Sequence, residues 1–119
     1  MLSYHEEQYA EATKNILLKR FNQKIPLTCI TEEMSVTEST LKRAFGKCYH
    51  VGIYEYQILL RKKKAKELLQ AGGKSIIYIS LQVGYKYQSA FAKIFKKYEG
   101  VAPMEWENMN KLVNTMCMV

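Results

Sequence analysis

Residues 75–103 read SIIYISLQVGYKYQSAFAKIFKKYEGVAP, and this stretch decides the fold. Its apolar residues do not alternate as in a half-buried strand. Ile76, Ile79 and Val83 follow helical spacing, and Phe91 and Phe95 stand four apart, so each set lines one face of a helix. Ser75 is a good N-cap. Gly84 closes the first segment, and a second helix is expected over about Tyr87–Tyr98, with Gly100 ending it. Pro103 is placed to start a third helix, which contains Trp106.

The stretch has an earlier copy. Shifting the chain by 50 residues lays Phe45 on Phe95, Arg43 on Lys93, Lys47 on Lys97, Val51 on Val101, Glu55 on Glu105 and Tyr56 on Trp106. Upstream the match needs a shift of 49, which pairs Leu27 with Ile76, Ile30 with Ile79 and Met34 with Val83. The one-residue difference is expected in the turn. In the first copy a short helix is expected over Thr28–Met34, interrupted by Ser35-Val36-Thr37. A second helix, N-capped by Thr37, should run to about Cys48. Between the copies, residues 53–70 carry a long apolar stripe that Ala71-Gly72-Gly73 stops. Ahead of them, Glu6–Asn22 reads as a further helix, ended by Pro26. With no Asn-Gly or Asp-Gly turn, the chain reads as all-α. The expected architecture is two helix–turn–helix subdomains, at about 25–50 and 75–100. A connecting helix joins them, and a C-terminal helix covers about 103–113. That makes about seven helices in homeodomain-like lobes.

Composition narrows the function. The chain has 119 residues, enough for one domain or two very small lobes, and 48% are hydrophobic against 24% charged. That is a globular balance. Cys29, Cys48 and Cys117 are odd in number and far apart, with only two histidines. This argues against a disulfide framework or a zinc finger, and for a cytoplasmic protein with small core cysteines. No apolar run is long enough to span a membrane, and the acidic N-terminus is not a signal peptide. No nucleophile–base set or Gly-rich phosphate loop stands out, so neither an enzyme nor a cofactor is expected.

The net charge of +7 suggests a polyanionic partner. Residues 51–100 carry ten bases and three acids, which equals the whole excess. A helix–turn–helix reads DNA with its second helix, which needs an apolar face inward and short polar or basic side chains outward. TESTLKRAFGK, residues 37–47, has this form: Leu41, Ala44 and Phe45 inward, and Ser39, Lys42 and Arg43 outward. YQSAFAKIFKK, residues 87–97, repeats it: Phe91, Ile94 and Phe95 inward, and Gln88, Ser89, Ala92 and Lys93 outward. Arg43 and Lys93 can donate to a guanine edge, and Gln88 can pair with adenine. The plain alternative for any one exposed lysine is a solvated helix face.

From about Ile25 to Asn108 the chain resembles the DNA-binding domain of the AraC/XylS transcription regulators. LTCITEEMSVTESTLKRAF is similar to that family's first helix–turn–helix. YQILLRKKKAKELL is similar to its connecting helix, with Arg61 and Ala65 at characteristic places. Residues 75–103 are similar to the family signature, through Gly84, Phe91, Phe95, Tyr98, Gly100 and Pro103. The resemblance implies a sequence-specific, bacterial, DNA-binding regulator, commonly an activator that contacts RNA polymerase. Its two recognition helices would enter successive major grooves about 34 Å apart. It places base contacts at Ser39, Lys42, Arg43, Gln88, Ser89, Ala92 and Lys93. Thr37, Lys47, Tyr87 and Lys97 are phosphate candidates, as helix N-termini and flanking bases bind backbone. The family usually adds an N-terminal effector-binding and dimerising domain. The chain is therefore either a short member or, the reading favoured here, a piece of a longer regulator. A non-specific architectural nucleic-acid binder and a helix–turn–helix interaction module remain as alternatives.

Three positions depart from the family pattern. His50 stands where the second copy has Gly100, implying either a left-handed non-glycine residue or a different helix end. Gly46 lies inside the first recognition helix, and Ala92 offers no side-chain hydrogen bond. Elsewhere packing is the simplest expectation: the nine tyrosines in the core or at lobe edges, Trp106 against the second lobe, Arg61 paired internally. Met109, Met116 and Met118 form an apolar tail.

Overall fold

The structure is a computed structural model that describes residues 4–117, and side chains for residues 4–111. The side chains of Met116 and Cys117, and Met118 entirely, lie outside the described residues. The described residues form seven helices and no strand: α1 (Tyr4–Arg20), α2 (Leu27–Met34), α3 (Glu38–Tyr49), α4 (Ile53–Ala71), α5 (Ile76–Gln82), α6 (Gln88–Glu99) and α7 (Pro103–Cys117). They divide into two compact units, Met1–Leu60 and Arg61–Val119, with the boundary inside α4.

In the first unit α1 packs chiefly on α3. Acids at Glu6 and Glu7 and bases at Lys19 and Arg20 suit the ends of the α1 dipole. Its buried stripe is Ala10, Thr13 and Leu17; Leu41, Ala44 and Phe45 of α3, with Ile30 and Ile58, are the other buried apolar residues of this unit. Thr13 is fully buried because its hydroxyl donates to the Tyr9 carbonyl at 2.8 Å, so no polar group is stranded. Helix α1 ends at Arg20, ahead of the expected Asn22, and Pro26 instead caps α2 in extended conformation. The carbonyls just past α1 are taken up by Gln57, whose Nε2 donates to Phe21 O at 3.1 Å and Gln23 O at 2.8 Å.

In the second unit Ala65, Leu69, Ile79, Val83, Phe91 and Phe95 form one core, bordered by Leu68, Ile76, Tyr85 and Trp106. Each buried phenylalanine contributes roughly 1.5–3 kcal/mol. Trp106 meets Phe95 edge to face, with centroids 6.2 Å apart, and fastens α7 as expected. The Arg61 guanidinium lies 5.0 Å from the centre of the Tyr85 ring, an internal contact.

The two turns explain the shift of 49 becoming 50. In the first, Ser35 is left-handed (φ 55°) and Val36 N donates to Thr31 O at 3.1 Å. In the second, Gly84 takes the left-handed place (φ 101°) and Tyr85 N donates to Ser80 O at 2.9 Å. Thr37 follows Val36 directly as the next N-cap, whereas Lys86 intervenes before Tyr87. The helix ends repeat too: His50 N donates to Gly46 O and Gly100 N to Lys96 O, both at 2.8 Å. His50 is left-handed at φ 59°, so the helix end is the same and a non-glycine residue bears its cost.

Two packing expectations need correction. Cys29 is exposed and Cys48 half-buried, so neither is a core residue. Cys29 sits beside the inward Ile30 on a helix with a narrow buried face, and Cys48 flanks Phe45. Tyr4, Tyr54, Tyr78 and Tyr87 are exposed, leaving only the other five tyrosines in packing positions.

Candidate nucleic-acid interface

Helix α3 begins with a real cap. Thr37 Oγ1 accepts from Thr40 N at 3.2 Å and donates to Thr40 Oγ1 at 2.8 Å. With Leu41, Ala44 and Phe45 buried, the opposite face must point outward. Ser39, Lys42, Arg43 and Lys47 are all exposed there. Two of these bases already have acidic partners. Lys42 Nζ lies 2.7 Å from Glu38 Oε1, and Lys47 Nζ lies 3.5 Å from Glu6 Oε2. The Glu38–Lys42 spacing of four, acid first, is the favourable helix order and was readable in the sequence. Lys42 also borders an apolar cleft of about 530 Å³ lined by Leu17, Ile25, Leu27, Ile30 and Ile53, over which its aliphatic stem can lie.

Helix α6 has the same division. Phe91 and Phe95 are buried, Ile94 is half-buried, and Gln88, Ser89, Lys93 and Lys97 are exposed. Ala92 is half-buried, on the flank rather than the crest. Tyr87 is the N-cap but makes no capping side-chain bond, and the residue is 61% exposed. The first N–H groups of α6 are therefore open to an anion in a way that those of α3 are not. Lys86 lies 5.5 Å over the Tyr87 ring, and Lys97 lies 5.7 Å over Tyr98.

One acid in this unit was not singled out from the sequence. Glu99, the last residue of α6, places Oε1 3.0 Å from Lys66 Nζ and 3.2 Å from Lys62 Nζ of α4. Burial pushes its carboxyl up. Hydrogen bonds from Lys66 and Lys62 outweigh this and hold it below the usual carboxylate value. The cluster ties the end of α6 to α4 and engages two of the unit's bases. In the first unit, partial burial and the Glu7 and Glu6 carboxylates push the Cys48 thiol up, away from the reactive thiolate.

Of the candidate base-contacting residues, Ser39, Lys42 and Arg43 in the first unit and Gln88, Ser89 and Lys93 in the second are thus exposed, while Ala92 stays on the flank of α6. Among the described residues no cluster of His, Cys, Asp or Glu is arranged to hold a metal ion. No described helix is long and apolar enough to cross a membrane.

Residues 30–109 match a family model described as a helix-turn-helix domain. The chain is 30% identical over 98 residues to the Msm operon regulatory protein of Streptococcus mutans, covering 82% of this chain and 35% of that protein. It is 26% identical to the C-terminal domain of AraT, a response regulator from Geobacillus stearothermophilus, with a TM-score of 0.80 over 85% of this chain and 84% of that one. The DNA-binding domain of AdpA, solved with a target DNA, shares the fold at a TM-score of 0.79 and 14% identity, covering 87% and 93% of the two chains. The chain spans about a third of the length of the Streptococcus mutans protein and of two other curated relatives that it matches.

Proposed function

Because the chain belongs to the AraC-type helix-turn-helix family, we propose that it is a sequence-specific DNA-binding regulator of transcription. Helices α3 and α6 are the two readers, each entering a major groove. One observation carries the reading. Both helices bury a phenylalanine at the same register, Phe45 and Phe95, and turn Ser39 and Arg43, or Ser89 and Lys93, outward at matching positions. A solvated face has no reason to repeat serine and a base at the same offsets. Arg43 and Lys93 donate to guanine edges, Gln88 pairs with adenine, and Ser39, Ser89 and Lys42 complete the base contacts. Ala92 meets a thymine methyl from the flank. Thr37, Lys47, Tyr87 and Lys97 hold phosphates.

The family is one of regulators, not enzymes. Contact with RNA polymerase, activation as the outcome, an additional effector or dimerisation domain, and work in the cytoplasm belong to this proposal. The relatives support it only through their names as operon and transcription regulators. Selection from a randomised duplex pool with Arg43→Ala and with Lys93→Ala tests it. Each should relax one half-site, a different one for each, with the helical content unchanged. Equal weakening on every sequence would make both residues phosphate contacts and refute the base assignments.

A second reading, a non-specific architectural binder, draws on one observation. The second unit holds eleven bases and four acids, whereas the first holds seven of each. Retention of the whole pool without enrichment would favour it.

A further inference from the structure

We propose that Glu38 reads bases in the first unit, acting with Lys42 as one charge-neutral pair on a guanine–cytosine base pair. This rests on α3 being a recognition helix. Glu38 is the first residue of α3 as Gln88 is the first of α6, each directly after its N-cap and 50 positions apart. If Gln88 faces base edges, Glu38 occupies the same place in the other unit. The chemistry differs: glutamine both donates and accepts, while an ionised carboxylate only accepts.

The pair is already assembled. Glu38 Oε1 and Lys42 Nζ are 2.7 Å apart, with side chains 53% and 59% exposed, so neither is occupied in the core. An exposed carboxylate on a face turned toward a polyanion is repelled unless it meets a donor. In the major groove those donors are the amino groups of cytosine and adenine. A guanine–cytosine pair sets an acceptor edge beside that cytosine amino group. Lys42 matches the guanine edge and Glu38 the cytosine. A neutral couple adds discrimination without counterion release, which fits a unit whose seven bases are balanced by seven acids. Glu38 also suits the positive end of the helix dipole, but that role alone leaves base preference untouched.

The test is pool selection with the full chain, followed by titration of the selected duplex and its single-base variants. Wild type, Glu38→Gln, Lys42→Ala and the double variant are compared, with circular dichroism to confirm that α3 persists. Glu38→Gln should lower the preference for cytosine at one position of the first half-site about tenfold and raise that for adenine. The second half-site should not change. The double variant should lose no more discrimination than the larger single loss, since the two act as a unit. Stronger binding to every duplex with unchanged base preference would overturn the proposal, leaving Glu38 as a repulsive neighbour of phosphate. A first half-site left intact beside an intact second one would refute Glu38 alone. Failure of the wild-type chain to enrich any motif would refute the regulator reading and Glu38's role with it.

Discussion

Replacing Gly46 by alanine adds one methyl group in the interior of α3. Gly46 is helical rather than left-handed, so the backbone needs no glycine there. A Cβ built on it meets nothing within 4 Å, so the methyl makes no clash and fills no cavity. Only the propensity difference remains, with the smaller conformational freedom that alanine gives the unfolded chain. That difference is about 0.8–1 kcal/mol in a helix interior. For a cooperative unit of this size, 1 kcal/mol raises the melting temperature by roughly 4–8 °C. Thermal unfolding followed by circular dichroism reads it. Urea titration gives an independent value, with a higher midpoint at unchanged slope. No gain in stability, or a loss, would mean that α3 is not a regular helix through residue 46, and the recognition surface drawn on it would fall with that.

Three further outcomes follow from the same reasoning. His50→Gly should stabilise the chain by about 1 kcal/mol in the same melts, since glycine relieves a left-handed residue; a loss would point to a contact made by the imidazole. Glu99→Gln should cost about 1–2 kcal/mol at neutral pH by removing the charged partner of Lys62 and Lys66. Because the folded-state carboxyl is held below its unfolded value, this difference should be present above about pH 4.3 and fade as pH falls through the lowered value. A gap that persists unchanged in acid would contradict it. Lys97→Ala should weaken binding to all duplexes alike and lower the salt slope by about one unit; an unchanged slope would remove Lys97 from the phosphate contacts.

Apolar phasing made much of this legible in the sequence. Phe45, Phe91 and Phe95 are buried where helical spacing puts them, and the outward positions of α3 and α6 follow as their complement. Caps were legible for a related reason: Thr37 and Ser75 both accept from the backbone three residues on. Left-handed Ser35 was hidden, because a serine carries no such signature, and only its alignment with Gly84 hints at the turn. Thr13 was passed over because a hydroxyl reads as a surface group until its local acceptor, Tyr9 O, is known. The cysteines misled in the opposite sense. Their type suggests burial, but Cys29 lies off the narrow inward stripe of an eight-residue helix. Long-range pairs such as Glu6–Lys47 and Glu99–Lys66 depend on how helices meet, which spacing along one helix does not carry. At the interface the sequence suggested which cations face outward, and the spacing of four also offered Glu38 as the partner of Lys42, while Glu6 as the partner of Lys47 emerged from the packing.

The most direct test of the central claim is selection by the wild-type chain from a randomised duplex pool at physiological salt. Recovery of two short motifs about one helical turn apart, roughly 10 base pairs, is the outcome predicted for two readers on one chain. Retention of duplex without enrichment of any sequence would contradict it.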